Sequence, residues 1–208
     1  MGKSSDKRGN WRKRLSWLAA ELFIIFIGVF LAFQLEQYRA SRVVNERKMQ
    51  IYSALAEEFT VASEAMPGAV SLLDSAVTTF IQDYEDGNMP IPERIHWVMG
   101  NKSDVWEASL QSGALELFDI HLLFELSHFF SYVRFVAEES KRLDRLVEQF
   151  IIPNADAGKE EFYNVETKNL RKKYMWYIDL FVNLNTYMQN VQKMTEDLKV
   201  KIDQYLQQ

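Results

Sequence analysis

The run from Leu15 to Leu35, LSWLAAELFIIFIGVFLAFQL, constrains this chain more than any other feature, because no side chain from Leu22 to Phe33 is polar. As a helix its 21 residues rise ~31 Å, about one hydrocarbon thickness of a bilayer. A helix that is apolar on every side has no face to offer water, so the run reads as a membrane span. Trp11 and Trp17 stand near its start and Tyr38 near its end, where interfacial aromatics belong. Within residues 1–35, Lys3, Lys7, Arg8, Arg12, Lys13 and Arg14 outweigh Asp6 and Glu21. That segment is net +4 in a chain of net −5, and the remainder carries −9. The bias predicts a cytoplasmic N-terminus and an extracytoplasmic C-terminal domain, although Arg39, Arg42, Arg47 and Lys48 follow the span. The apolar run is longer than a signal peptide's and no small-x-small site follows it, Phe30 and Ala32 being a poor pair. There is no twin-Arg pair, and the segment reads as an uncleaved anchor.

The organisation expected is a basic cytoplasmic tail (1–14), a transmembrane helix (15–35) and a helical extracytoplasmic domain (36–208), divided into a stalk (36–50) and a bundle (51–208). The compartment that fits is the bacterial inner membrane. Glu21 is the one ionisable residue inside the run. Glu21, Gly28, Ala32 and Leu35 follow at steps of seven, four and three and so share a helix face. Gly28 and Ala32 form a small-xxx-small pair that lets another helix approach closely. Three readings stand together: a boundary carboxylate snorkelling to the interface, a face for self- or partner-association, and a proton-carrying carboxylate as in single-span stator subunits.

Beyond the span, only 8 Gly and 4 Pro leave little material for turns and favour a few long helices. Arg39 to Lys48 is mostly polar; then Tyr52, Leu55, Phe59, Ala62 and Met66 alternate steps of three and four. Pro67-Gly68 is expected to end that helix, and a second to run from Ala69 to Tyr84, stopped by Asp86-Gly87. Asn88 to Pro92 reads as a loop, with Pro92 opening a short helix through Met99. Asn101 to Ser103 reads as a turn, and Ser103 or Asp104 as the cap of Val105–Gln111. Ser112-Gly113 reads as a helix C-terminus, Gly113 turning the chain in a left-handed conformation, and Asp119 as the cap that restarts it. The next stripe is Leu122, Leu126, Phe129, Val133, Val136, Leu143, Val147 and Phe150, ending before Pro153. A polar loop covers Asn154 to Lys159. The last stripe, Leu170, Tyr174, Tyr177, Phe181, Leu184, Met188, Val191, Leu198, Ile202 and Tyr205, keeps a heptad rhythm broken only at Thr195, for a helix of roughly 55–60 Å. The fold class expected is all-α: one transmembrane helix continuing into a stalk, then an up-down bundle of long antiparallel helices. A parallel homo-oligomeric coiled coil through 170–205 competes for the same stripe.

The anchor AELFIIFIGVFLAFQLEQY resembles that of an uncharacterised family of small bacterial single-span proteins, whose spans read Gly-Glu-Ile, aliphatics, Gly, then Ala and Gln, closing near Asn-Trp. Glu21, Gly28, Ala32 and Gln34 stand in those places. Trp106, Ser112, Gly113, Leu115, Asp119, Phe129 and Phe130 resemble the family's middle motif. Ala20 replaces the usual Gly, and Glu36-Gln37-Tyr38 the polar-Trp ending. The resemblance implies a helical inner-membrane protein and brings no activity with it.

Zero Cys excludes disulfides, zinc-thiolate sites, iron–sulfur clusters and thiol catalysis. The chain has no GxxxxGK, GxGxxG, GxSxG or HExxH motif. His121, Glu125 and His128 share a helix face, but two imidazoles and a carboxylate need a fourth group to make a metal site; the third histidine, His96, lies apart. Tyr174, Trp176 and Tyr177 beside Arg171, Lys172 and Lys173 read as packing rather than as a ligand site. Adjacent glutamates such as Glu57-Glu58 and Glu160-Glu161 point apart on a helix and are solvated. An acidic domain repels phosphates, so no nucleic acid is expected. No cofactor, metal or catalytic role is expected either. The chain reads as a membrane-anchored interaction or scaffold protein, an accessory subunit of a membrane complex. Its partners would be the bilayer and either another protein or its own copies, met through the span and the 170–205 stripe. The alternatives are a component of an ion-driven or transport machine with Glu21 as coupling carboxylate, and a ligand-sensing helical domain.

Overall fold

The computed structural model describes residues 7–94 and 103–207. Residues 1–6 of the basic tail, His96 and the Asn101-Lys102 part of the expected turn lie outside them. The described chain is all-helical, with one isolated bridge between Tyr163 and Leu170. Helix α1 spans Lys7–Glu85, α2 Asp104–Gln111, α3 Ile120–Leu146, α4 Lys159–Phe162 and α5 Trp176–Leu206. The chain divides into two compact units, residues 1–49 and 50–208.

In the first unit every described side chain from Glu21 to Arg47 is exposed. Isoleucine, valine and phenylalanine there lose side-chain freedom in a helix while leucine and alanine lose little, and no described residue of the unit buries them. In the second unit α1 buries Tyr52, Leu55 and Phe59, then Val70, Leu73, Val77 and Phe80.

Pro67-Gly68 does not end the helix: both residues lie inside α1. In an exposed helix interior proline costs about 3 kcal/mol and glycine about 1 relative to alanine. Each of Val70, Leu73, Val77 and Phe80 contributes roughly 1.5–3 kcal/mol on burial, and one unbroken axis keeps them in line with Tyr52 to Phe59. Pro67 faces solvent, and the buried rhythm absorbs it with one step of four, Met66 to Val70, where the heptad asks for three. Helix α1 stops at Gly87, at φ 71°. Asn88 N–H donates to the Asp83 carbonyl at 2.9 Å and Gly87 N–H to the Tyr84 carbonyl at 3.1 Å, which together make a Schellman cap. The aliphatic chain of Lys168 lies across Gly87, 2.8 Å from where a Cβ would stand.

No helix begins at Pro92. Residues 91–94 are non-helical, and the rest of the expected segment through Met99 is outside the described residues. Tertiary partners hold this stretch: the Tyr177 hydroxyl donates to the Glu93 carbonyl at 2.9 Å, and Arg94 pairs with Glu148 at 3.1 Å.

Ser103 caps α2 by accepting from Trp106 N–H at 3.0 Å. The Glu58 carboxylate accepts from the Ser103 hydroxyl and, at 3.2 Å, from Val105 N–H. Gly113, at φ 70°, leads into a short 3-10 turn, Ala114–Leu117. Asp119 Oδ1 then accepts from His121 N–H at 2.9 Å and Leu122 N–H at 3.3 Å to open α3.

Two stripes end differently from expectation. After α3 comes a π turn, Val147–Ile151, and a 3-10 turn, Ile152–Asn154, so helical backbone runs through Pro153. The wide turn admits one extra residue and moves the buried position from Phe150 to Ile151. It also opens the backbone where the proline ring would meet the preceding carbonyl. Helix α5 begins at Trp176, six residues after Leu170. Its 31 residues measure about 46 Å, shorter than the stripe implied. Leu170 and Tyr174 are core residues without being in α5, held by a turn in which Asn164 N–H donates to the Asn169 carbonyl at 2.9 Å. The expected loop after Pro153 ends in α4, which buries Phe162.

The stripes of α1, α3 and α5 meet in one core. Aromatic rings mark the contacts: Phe59–Phe129 at 5.1 Å, Trp106–Phe130 at 5.2 Å, Phe80–Tyr177 at 5.2 Å and Tyr52–Tyr205 at 5.7 Å. Thr195, the polar break in the last stripe, is fully buried and donates to the Val191 carbonyl at 2.8 Å. The 170–205 stripe, read as a surface for a partner or a second copy, is thus taken up by packing within the unit.

The two glycines of α1 and its cap give opposite expectations. Gly68→Ala fills open space in a helix interior and raises stability by about 0.5–1 kcal/mol. Gly87→Ala meets both the left-handed backbone and Lys168 and lowers stability by more than ~1 kcal/mol. Denaturant unfolding of the full chain in detergent, followed by circular dichroism, checks both; equal effects would contradict the assignment of Gly87 as the cap.

Candidate membrane-spanning segment and the polar ends of the helical domain

An 18-residue window of α1 near the N-terminus has mean hydropathy 1.5 and none of it is buried. This helix is long and apolar enough to cross a membrane; a signal sequence at this end of a chain meets the same test. Glu21, Gly28, Ala32 and Leu35 lie on one face of it, and apart from its chain neighbours and the helix's own nearby backbone no described heavy atom comes within 4 Å of the place a Gly28 Cβ would take. The opposite face, which the reading of the sequence passed over, holds Phe23, Phe26, Phe30 and Phe33 at steps of three, four and three. Phe26 and Phe30 are stacked, with centroids 6.4 Å apart. The regular phenylalanine spacing was the available signal.

The helical domain closes its core with polar clusters. In one, Asp119 N–H donates to the Tyr52 hydroxyl at 3.0 Å, and the Tyr205 hydroxyl bonds the Asp119 carboxylate. That bond, with the two backbone N–H groups of α3, holds the Asp119 carboxyl below its ordinary range. The same bond is the main reason the Tyr205 hydroxyl is pushed up to about 12. Nearby, Lys201 pairs with Glu125 at 2.6 Å. Glu125 is therefore an ion-pair partner on the His121–Glu125–His128 face. Among the described residues no group of three or more His, Asp or Glu is placed to hold a metal ion.

A second cluster is built from Tyr163, Tyr174 and Tyr177, all buried. Tyr163 donates to the Pro90 carbonyl, and Tyr174 donates to Glu161 Oε1 at 2.8 Å. Lys173 bonds the same carboxylate oxygen at 2.5 Å. Lys173 and Tyr174 hold the Glu161 carboxyl low, and burial pushes the Tyr177 hydroxyl up to about 12. Arg171 Nε donates to the Glu160 and Tyr163 carbonyls at 3.1 and 3.2 Å. Trp176 is half-buried and donates to the Lys173 carbonyl at 2.8 Å. The tyrosines beside the basic run thus pack inward and tie loop to loop. An open cavity of about 500 Å³ beside them is lined by Asn164, Thr167, Asn169, Leu170 and Arg171–Lys173.

A third cluster lies between α1 and α5. Asn185 and Gln189 donate to Asp74 Oδ1 at 2.8 and 3.1 Å. The buried Asn185 Oδ1 has no partner. An orphaned buried acceptor costs stability, which sets this contact apart from the satisfied tyrosine clusters.

These protonation equilibria bracket the stability of the domain. Asp119 and Glu161 have folded-state pKa values below the ordinary 3.8 and 4.5, so their contribution is present above those values and lost as pH falls through the lowered ones. Tyr177 and Tyr205 keep their protons to about pH 12 against 10 when unfolded, so their contribution is intact below pH 10 and lost toward pH 12. The melting temperature should therefore show a plateau that falls in acid below about pH 4 and in alkali above about pH 10. Tyr177→Phe should shrink the alkaline fall; a flat profile from pH 10 to 12 in the unsubstituted chain would refute it. Comparison with protein-family models, with curated proteins and with solved structures finds nothing that matches this chain.

Proposed function

We propose that this chain is a single-span protein of the bacterial inner membrane, with a cytoplasmic N-terminus and an extracytoplasmic helical domain, and that it serves as an interaction or scaffold subunit of a membrane complex. One observation carries the reading. The second unit covers its apolar stripes, while the first leaves Leu22 to Phe33 uncovered on every side, Phe26 for example at 64% exposure. A continuous apolar surface of that size is not stable in water and matches the bilayer in length. The net +4 before residue 36 supports the orientation. The likeness of the anchor to the family of small single-span proteins supports the location.

For the helical domain the reading is a three-helix bundle. Contacts of α3 and the π turn after it with α5 pair rising with falling numbers: Glu125 with Lys201, Tyr132 with Asn190, Phe135 with Tyr187, then Phe150 with Trp176. Contacts between α1 and α5 do the same: Tyr52 with Tyr205, Met66 with Thr195, Asp74 with Asn185, Phe80 with Tyr177. These pairings support α5 running antiparallel to both. Tyr52 with Asp119 and Phe59 with Phe129 support a parallel α1 and α3, with residues 86–119 as the return.

The test is topological. The full-length chain, tagged at both ends, should stay with membranes in alkaline carbonate. Protease added to spheroplasts should remove the C-terminal tag and spare the N-terminal one. Release by carbonate, or a mature N-terminus inside or just after residues 15–35, would overturn the reading.

A further inference from the structure

We infer that the cavity beside residues 164–173 binds a phosphate group, carried by a soluble metabolite or by a lipid headgroup, between Arg171, Lys172, Thr167 and Asn164. The tyrosines of this region pack inward, and the polar side chains beside them do not. Asn164, Thr167, Asn169, Arg171, Lys172 and Lys173 are all exposed and line an open space of about 500 Å³. That volume is in the range of small-molecule sites. The lining is held in place before any ligand arrives. Tyr163 bridges to Leu170, Asn164 N–H donates to the Asn169 carbonyl at 2.9 Å, and Arg171 N–H donates to the Phe162 carbonyl at 2.9 Å. A site ordered in advance loses less freedom on binding.

The supply of hydrogen-bond donors selects the ligand. Asn164 Oδ1 accepts from Glu166 N–H at 3.0 Å and from Thr167 N–H at 3.2 Å, which leaves the amide N–H₂ as its outward group. Asn169 turns its Oδ1 to the Tyr84 hydroxyl, 3.5 Å away. Arg171 donates Nε–H to the Glu160 and Tyr163 carbonyls. Those two bonds fix the plane of the guanidinium and leave its two terminal nitrogens without a partner among the described residues. Lys173 is paired with Glu161, whereas Lys172 has no ion-pair partner among the described residues. No Asp or Glu belongs to the lining.

The cavity therefore presents donors and positive charge and few acceptors. A cation is repelled. A neutral sugar brings hydroxyls that need acceptors as well as donors. A carboxylate accepts about four hydrogen bonds through two oxygens, fewer than these side chains hold out. A phosphate brings more acceptor oxygens and more charge, and its geometry matches the arginine fork. The net −9 of residues 36–208 opposes a long polyanion; a single phosphate answers to the groups that touch it.

The experiment titrates the full-length chain in a non-ionic sugar detergent, near neutral pH and at fixed ionic strength. The probes are inorganic phosphate, glycerol phosphate, a water-soluble short-chain phosphatidic acid and, for comparison, acetate. Calorimetry should show one equivalent of each phosphate compound bound, and acetate bound at least about tenfold more weakly. Lys172→Gln should weaken phosphate about tenfold, the loss of one charge-assisted bond. Thr167→Val, which removes one neutral donor, should weaken it about threefold. Lys193→Gln removes the same charge as Lys172→Gln from an exposed position on α5 and should change nothing. Circular dichroism of each variant should match that of the unsubstituted chain, so that a folding failure is not read as lost binding. Tighter binding of glycerol phosphate assigns the site to a soluble ligand, and tighter binding of phosphatidic acid to a lipid; either supports the inference. Absence of saturable binding, acetate binding as tightly as phosphate, indifference to both Lys172→Gln and Thr167→Val, or equal losses from Lys172→Gln and Lys193→Gln would each overturn it. The titration is made in solution, so none of these results bears on the reading of residues 15–35 as a span.

Discussion

A helix with a one-sided apolar stripe cannot take that stripe out of water by itself, and the helical domain is the consequence of this constraint acting on α1. From Tyr52 to Phe80 the buried residues of α1 repeat at steps of three and four, with one extra step of four at Pro67. Helices α3 and α5 carry matching stripes, and the three close one core. The same helix bears a different pattern earlier, where Leu22 to Phe33 is apolar all round and stays exposed within its own unit. The two patterns make different demands. One is satisfied by protein; the other has the length and hydropathy to cross a hydrocarbon layer.

Tyrosine reconciles the core with its rims. Tyr52, Tyr163, Tyr174 and Tyr177 bury their rings almost completely and still place each hydroxyl on a polar partner: Asp119 N–H, the Pro90 carbonyl, Glu161 and Glu93. A phenylalanine in these places would bury the same area and leave loop carbonyls and N–H groups unanswered. The heavy aromatic content of the chain is in this sense structural. Asn185 is the exception, a polar residue in the core whose oxygen finds nothing.

Periodicity made most of this legible. The positions of the stripes, the stop at Gly87 and the face shared by Glu21, Gly28 and Ala32 all follow from local spacing and from the chemistry of single residues. What escaped the sequence depended on distant partners. Pro67-Gly68 looks like a terminus because intrinsic propensity is local, whereas the burial on either side of it is not. Leu170 and Tyr174 keep the heptad rhythm of α5 without belonging to it, since periodicity reports which residues face the core and not which backbone carries them. The shift from Phe150 to Ile151 comes from one additional residue in a turn, which no pattern of hydrophobicity announces. The cluster around Tyr163 joins residues 73 positions apart, beyond the reach of any local rule.

The order in which the chain is made gives this architecture a cost. The stripe of α1 leaves the ribosome first, and the helix that covers much of it leaves last: Asp74 waits for Asn185, 111 residues later, and Met66 for Thr195, 129 residues later. At about 5–20 residues per second, α1 spends several seconds exposed before α5 exists. Throughout that interval the stripe from Tyr52 to Phe80 is an uncovered apolar surface on the same helix as the exposed run Leu22 to Phe33. Shielding of the half-made domain is thus a demand that the topology places on the cell. A chain cut short before α5 would leave the part of the stripe that α5 covers open for good.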